Sequence, residues 1–288
     1  MTRGAAPDPI ARVSIGELIE RYELILFDAY GVLVHSAGAL PGAGETIARL
    51  NELGKSYAVL TNDASKLPAT AAARYQGFGL DIPVERIIAS GLLLQAYFER
   101  HQLNGARCIV LGTPDSHRFV EQAGGRIVPA DSPCDVLVVG DENGFNFVDT
   151  VDATLSSLFH AIDAGQRVRL VLPNPDLIFP HGEDRFGIAA GSVALIFEAA
   201  LRRRYPQRTD LVFDRVGKPH GDLYETAMAR YGTRNAVMIG DQLETDIAGA
   251  VPCGIDSALI ATGVSMVDNA TSASALRPTF WMPSLKED

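Results

Sequence analysis

The stretch LILFDAYGVLV, Leu24 to Val34, decides how the rest of the chain is read. Four apolar residues run straight into Asp28, and Gly31 follows three positions later. A short continuous apolar run stopped by a charge and a glycine is the pattern of a buried parallel strand delivering a carboxylate to its carboxyl end. In open α/β sheets that end is where ligands bind. Taken alone, Asp28 could equally be turn chemistry, since aspartate is a common turn residue.

Working outward, the same rhythm repeats. Upstream, a loose arm over residues 1–12 precedes Ser14 and Glu17, a capping box for a short helix striped by Ile15, Leu18 and Ile19. Downstream, the HSAGALPGAG loop leads to a helix with Ile47, Leu50 and Leu53 on one face and Gly54 as its stop. Tyr57–Leu60 is a second buried strand, ending in Thr61-Asn62-Asp63. Asp28 to Thr61 is therefore one β-α-β step, and a right-handed crossover sets Thr61 on the same sheet edge as Asp28.

Helices are predicted from Ala64 to about Gln76 and from about Ser90 to His101. New strands follow at Cys108–Leu111, Val136–Val139 and Val168–Leu172. Between the last two lies a helix of Leu155, Leu158, Phe159 and Ile162, closed by Gly165. This middle third reads as an inserted α/β module, bounded by loops such as Pro173-Asn174-Pro175-Asp176 and His181-Gly182-Glu183-Asp184. From about Gly187 the first rhythm resumes, with a helix at Ser192–Arg204, a strand at Leu211–Phe213 and then Gly217-Lys218-Pro219. A helix of Leu223, Ala227 and Met228, a strand at Ala236–Ile239 ending in Gly240-Asp241, and a last strand at Ala258–Ala261 finish the sheet. The expected division is core over 1–86, insertion over 87–186 and core again over 187–288.

Bulk properties bound the function. The length, 288 residues, suits two domains or one α/β domain with an insertion. Composition is 47% hydrophobic and 21% charged, ordinary for a globular chain. A net charge of -10 argues against a nucleic-acid or anionic-membrane surface, so an anionic ligand would need local positive charge supplied by its site. Cys108, Cys134 and Cys253 lie far apart, which suits a reducing compartment and excludes a structural zinc motif. MTRGAAPDPIARVSIGEL has no apolar core of signal-peptide length, and Phe186–Phe197 is too short to span a bilayer. The expectation is a cytoplasmic protein.

The predicted sheet edge gathers Asp28, Thr61 and Asp241, with Lys218 and Asp246 in adjacent loops. Each has a plain structural explanation. Asp241 with Glu244 could be a capping box, Asp246 could complement a helix N-terminus, Thr61 or Asp63 could cap a helix, and Lys218 could be an exposed loop lysine. Together they point to chemistry. Two carboxylates about 4 Å apart repel by roughly 4 kcal/mol at an effective dielectric of 20. Asp28 and Asp241, with Asp246 behind them, therefore call for a cation, and oxygen ligands with open positions suit Mg²⁺ beside a substrate phosphate. The Thr61 hydroxyl, the backbone N–H groups of the Asn62-Asp63 turn and Lys218 would cradle phosphoryl oxygens. Asp28 is then left to attack phosphorus as a covalent nucleophile.

These residues resemble the four motifs of the haloacid dehalogenase superfamily, in order: Asp28-x-x-Gly31-Val32-Leu33, Thr61-Asn62, Gly217-Lys218-Pro219 and Gly240-Asp241-x-x-x-x-Asp246. LPGAGETIARLNELGK, the Asn174-Pro175-Asp176 loop and GDQLETDIAGAVPCGIDSALIATGVS resemble the NagD-like (4-nitrophenylphosphatase-like) branch, class IIA. The resemblance implies a Rossmann-like parallel-sheet core, with the inserted α/β module as a cap over the site. It implies a metal held by Asp28, the backbone carbonyl of Tyr30 and Asp241, with Asp246 orienting Lys218 or a metal-bound water. It also implies that Asn174 and Asp176 face a small phosphorylated substrate, and it allows a homodimer.

One departure from that family stands out. The position two residues after the nucleophile, usually a second aspartate acting as general acid and base, is Tyr30. A tyrosine with a reference pKa near 10 can donate a proton but is a poor base at neutral pH. Such help is typically worth about 10² to 10⁴ in rate, so turnover should be reduced unless another group, with His35 and Asp63 as candidates, takes over. The leading expectation is a Mg²⁺-dependent phosphatase. The alternative is a catalytically weak metal- and phosphate-binding regulatory protein. The words FDAYG also resemble the metal-independent 2-haloacid dehalogenases, whose fourth motif lacks the metal-binding aspartate that Asp241 supplies here.

Overall fold

In the computed structural model, which describes residues 10–182, 185–265 and 276–287, Leu24–Phe27 is a central strand of a seven-stranded parallel sheet. Its four residues are wholly buried because both faces are covered. Ile25 and Phe27 pack under the helices Ile15–Arg21 and Ala43–Glu52. Leu24 and Leu26 pack under the helix Asp222–Tyr231. Burial of each such side chain is worth about 1.5–3 kcal/mol, which is why the run carries no polar residue until it ends.

Across the sheet the order is Ala11–Arg12, Phe280–Met282, Asp256–Ile260, Ala236–Gly240, Leu24–Phe27, Ser56–Thr61 and Ile87–Ala89. Every pairing is parallel, so all the carboxyl ends share one edge. The predicted capping box is present, with the Ser14 hydroxyl accepting from the Glu17 N–H and the Glu17 carboxylate accepting from the Ser14 N–H.

A second, five-stranded parallel sheet, ordered Asp214–Arg215, Arg169–Leu172, Val136–Val139, Arg107–Leu111 and Arg126–Ile127, forms the inserted cap. Helices Phe147–Asp163 and Ala190–Arg204 cover one face, and Leu93–Arg100 with Pro114–Gln122 cover the other. From this cap an antiparallel hairpin, Ile178–Gly182 with Arg185–Ile188, reaches toward the core. There the Ser36 hydroxyl donates to the His181 carbonyl at 2.6 Å. No helix among the described residues is long and apolar enough to cross a membrane.

Several expectations change. Ala258–Ala261 is not the end of the sheet, because Phe280–Met282 and then Ala11–Arg12 extend it. Strands of two or three residues are too short to leave a periodic signal. Of the expected loose arm, residues 1–9 lie outside the described residues, as do Glu183 and Asp184 of the expected bounding loop. Leu211–Phe213 is not a strand: the Leu211 and Phe213 side chains plug the cap's apolar core, and the pairing is made by Asp214–Arg215. Ile87–Ala89 pairs in the core sheet, whereas Ala190–Arg204 packs on the cap sheet. The chain thus leaves the core after Ala89 and returns after Arg215, later than the expected junctions at 87 and 187. Leu53 is 61% exposed and lies off the buried stripe of its helix.

Candidate active site

The sheet register brings the site together. Phe27 pairs with Ile239 on one side and Val59 on the other, so Asp28, Thr61 and Asp241 leave the same edge within a residue or two of one another. Each carboxylate is buried, Asp28 at 5% exposure and Asp241 and Asp246 at 0%. Asp28, Asp241 and Asp246 each offer an oxygen within 4.8 Å of the others.

Lys218 lies among them at 1% exposure, so it is no loop lysine in solvent. Its ammonium donates to Asp28 Oδ1 at 2.7 Å, Asp246 Oδ1 at 2.7 Å and the Leu60 carbonyl at 3.0 Å, which uses all three of its protons. Burial works against its charge, but the Asp246 and Asp28 carboxylates more than offset that and hold its pKa well above the ordinary lysine value. Asp246 also accepts the Asp241 and Gln242 N–H groups on Oδ2 at 3.1 Å each, so its side chain ties the lysine to the turn that carries Asp241. No Asp241–Glu244 box forms there.

Asp241 is held differently. Its Oδ2 accepts the Val264 N–H at 2.8 Å, while its Oδ1 is buried with no partner. The two loops that wrap it must carry glycine. A Cβ on Gly31, whose φ is +83°, would come 2.4 Å from Asp241 Oδ2, and one on Gly263 would come 1.9 Å from it. Burial and the Asp28 and Asp246 charges push Asp241 well above the usual carboxylate range. Burial likewise pushes Asp28 up to about 7 against the pull of Lys218. Three carboxylates with one ammonium, and one carboxylate oxygen left bare, fit a divalent cation bound through oxygen.

Beyond this cluster lies a cavity of about 280 Å³ between core and cap. Asp28, Tyr30, Thr61, Asp63, Lys66 and Arg74 line it from the core, and Thr113, Asp141, Asn174, Asp176, Phe179 and His181 from the cap. Asn62 stands behind it as the tie between the two. Its Oδ1 accepts the Lys218 N–H at 2.7 Å, and its Nδ2 donates to the Lys218 carbonyl at 3.1 Å and to Asp176 Oδ1 at 2.9 Å. Gly217 permits this contact, since a Cβ there would lie 2.5 Å from Asn62 Oδ1.

The turn after Ser56–Thr61 is stapled by its own side chains. Thr61 Oγ1 accepts the Asp63 N–H at 3.1 Å. Asp63 accepts the Ser65 N–H on Oδ1 and the Lys66 ammonium on Oδ2, both at 2.8 Å. Burial works to raise the Asp63 pKa, yet Lys66 and Ser65 bring it below the ordinary value. Tyr30 accepts a hydrogen bond from Arg74 on its hydroxyl and meets Phe179 edge to face at 5.8 Å. Its phenol is raised, mainly by burial. His35 does not line the cavity, and its Nδ1 accepts the Ala37 N–H within a tight hairpin.

Asp28, Tyr30, Thr61, Asp63, Asn174 and Asp176 thus share the cavity wall, with Asn62, Lys218, Asp241 and Asp246 packed behind it. Lys66, Arg74, Asp141, Glu142, Phe179 and His181 also line the cavity, and none of them belongs to a motif of the sequence. Asp141 and Glu142 carried a usable signal, because they follow the apolar run Val136–Val139 much as Asp28 follows Leu24–Phe27. Burial and Asp141 push Glu142 up to about 7.

Comparison with known proteins gives a consistent neighbourhood. Residues 25–126 match a family model described as haloacid dehalogenase-like hydrolase, and residues 215–288 match a HAD-hydrolase-like model. The fold matches the crystal structure of a possible sugar phosphatase of the HAD superfamily from Cytophaga hutchinsonii at TM-score 0.83 and 30% identity, covering 97% of this chain and 100% of that one. The chain is 28% identical to a dihydroxyacetone phosphatase of Corynebacterium glutamicum, over 91% of this chain and 89% of that protein. It is 26% identical to the ribonucleotide monophosphatase NagD of Escherichia coli, over 91% and 96%.

Proposed function

This chain belongs to the haloacid dehalogenase superfamily and is a phosphatase-type hydrolase, in the branch of its NagD and p-nitrophenyl phosphatase relatives; from that premise we propose that it hydrolyses a small phosphorylated metabolite through an aspartyl phosphate on Asp28, with Mg²⁺. The observation that carries the reading is the buried Asp28–Asp241–Asp246 cluster around Lys218 at the mouth of a cavity. Similarity to a dihydroxyacetone phosphatase and a ribonucleotide monophosphatase supports a small phosphate ester as substrate.

In this reading Asp28 attacks phosphorus. Lys218 neutralises Asp28 and keeps it ionised beside an anionic ester, while Asp246 fixes the lysine. The Thr61 hydroxyl, which accepts the Asp63 N–H and keeps its own proton to donate, and the Asn62-Asp63 turn receive phosphoryl oxygens, and Asn174 and Asp176 close the cavity over the substrate. Asp28, the Tyr30 carbonyl and Asp241 would hold Mg²⁺, with Asp246 reaching it through a water. When bound, the ion supplies positive charge that offsets repulsion between carboxylate and phosphate.

A panel of phosphate monoesters assayed with Mg²⁺ or EDTA, beside Asp28→Asn, tests the proposal. Phosphate release abolished by EDTA and by the substitution is expected; release that survives Asp28→Asn would sink the nucleophile assignment. A second reading, a metal- and phosphate-binding protein with negligible turnover, draws on Tyr30, whose hydroxyl is engaged by Arg74. Phosphate binding to the Mg²⁺-loaded protein without release from any ester would favour it. Chloride release from a 2-haloacid in EDTA would instead favour dehalogenation, which the buried Asp241 opposes.

A further inference from the structure

Departure of an alkoxide from phosphorus needs a proton, and attack by water on an aspartyl phosphate must lose one. The residue two positions after the nucleophile meets only half of this need: Tyr30 accepts from Arg74 and keeps its own proton, and burial raises its phenol, so it cannot take a proton from water in neutral solution. Asp63 is held ionised by Ser65 and Lys66, which bring it below the ordinary carboxylate value against the effect of burial, so it has no proton to give. Asp141 and Glu142 bond within their own loop, to the Asn143 N–H and side chain respectively, and they feel the charges of Asp63 and Lys66.

Asp176 stands apart from these. It lines the same cavity as Asp28, and where Asp141 and Glu142 each bond to Asn143 beside them, Asp176 Oδ1 accepts from Asn62, the side chain that also holds the Lys218 backbone. Its backbone is fixed on both sides. The Asp176 N–H donates to Asn174 Oδ1 at 3.1 Å, and its carbonyl accepts the Gly191 N–H at 3.0 Å. A Cβ on Gly191 would lie 2.4 Å from the Pro175 carbonyl, so the helix start presses the loop into place. Through Asn62 the carboxyl is one side chain removed from Lys218, which itself holds Asp28.

We propose that Asp176, carried by the cap, is the general acid and base of this chain, supplying the function that residue 30 lacks. This rests on the phosphatase reading above. As Asp28 forms its bond to phosphorus, the ester P–O bond breaks and the departing oxygen takes the Asp176 proton, releasing an alcohol. Water then bonds to phosphorus as the Asp28–phosphorus bond breaks, and its proton returns to Asp176, leaving phosphate and a free Asp28 carboxylate. The charges that face Asp176 are Lys218, Asp246, Asp63 and Asp28. Burial, resisted by Lys218, pushes its carboxyl up to about 6, near where a group must sit to give and take a proton in neutral solution.

The experiment compares an alkyl phosphate with 4-nitrophenyl phosphate, whose leaving group departs without a proton. The parent, Asp176→Asn, Tyr30→Asp and the Tyr30→Asp/Asp176→Asn double variant are each assayed with Mg²⁺. For Asp176→Asn, kcat/KM on the alkyl ester should fall by about 10² or more while the aryl ester loses under about 10-fold. The parent's alkyl profile should decline as pH rises past about 6, a limb the variant lacks. In the Tyr30→Asp background, Asp176→Asn should cost the alkyl reaction under about 10-fold, because residue 30 then carries the proton. Equal losses on both esters in an active parent, matched by the same loss in the Tyr30→Asp background, would mark Asp176 as a structural tie and overturn this assignment alone. A parent inert toward both esters would overturn the phosphatase reading, and this inference with it.

Discussion

Asp241→Asn should change sign with the metal. In EDTA, Asp241 faces two carboxylates within 4.8 Å, and at an effective dielectric of 20 each pair repels by about 3.5 kcal/mol. Lys218 bonds both neighbours and cancels much of this, so the net relief on neutralising Asp241 should be about 1–3 kcal/mol. An asparagine can still accept the Val264 N–H, and its amide can donate where Asp241 Oδ1 has no partner. For a chain of this size that is a rise in Tm of roughly 2–10 °C in EDTA. The sign of the pH dependence follows from the raised Asp241 pKa. A carboxyl raised on folding contributes stability below the ordinary carboxylate pKa and loses it as pH rises through the folded value. The advantage of the variant should therefore grow with pH and vanish below about pH 4. With Mg²⁺ at a hundred times its Kd the parent should gain about 2.7 kcal/mol, and the variant far less. Thermal melts of both proteins in EDTA and in Mg²⁺, across pH, make the comparison. A variant that melts below the parent in EDTA, or keeps the full Mg²⁺ shift, would refute the account of the cluster.

Three further outcomes follow from particular contacts. Tyr30→Phe removes only the hydroxyl that accepts from Arg74 and keeps the ring against Phe179, so kcat should change by less than about 10-fold in steady-state kinetics; a larger loss would make the phenol a proton carrier. Gly263→Ala must displace the Asp241 carboxylate, and activity should fall by about 10² together with the Mg²⁺-induced shift in Tm, whereas Gly44→Ala, with nothing within 4 Å, should leave both intact. Glu142→Gln should raise the Tm at about pH 8 and not at about pH 4, since burial pushes this carboxyl up to about 7 and its stabilising share is lost as pH rises through that value; partial exposure holds the gain to on the order of 1 kcal/mol. Paired melts at the two pH values decide it.

What could be read from the sequence was whatever a single residue's neighbours dictate. Leu24–Phe27, Val136–Val139 and Ala236–Gly240 are apolar throughout because both sheet faces are covered, and so each announced itself, the first and last together with the polar group that follows. Asp28, Thr61 and Asp241 were legible for the same reason. Phe280–Met282 and Ile87–Ala89 escaped, because three residues pair only where the tertiary register presents an open edge. Leu211–Phe213 misled in the opposite way, being apolar to fill a core and not to build a ladder. Lys66 and Arg74 were invisible since their place in the wall depends on where the helix Pro68–Gly77 docks, and Phe179 and His181 arrive on a hairpin whose reach no periodicity encodes.

The return crossing from cap to core carries a mechanical consequence. Arg215 is the last paired residue of the cap sheet, and Lys218 already grips Asp28. Only Val216 and Gly217 separate them, one bonded to the Leu172 carbonyl and the other wedged against Asn62 and the Pro173 carbonyl. Any rotation of the cap would thus pull on a two-residue leash whose far end is the ammonium itself. Cap and nucleophile are joined through this one short link, so a mutation that slackens it should blunt the chemistry even where every reacting group is left in place.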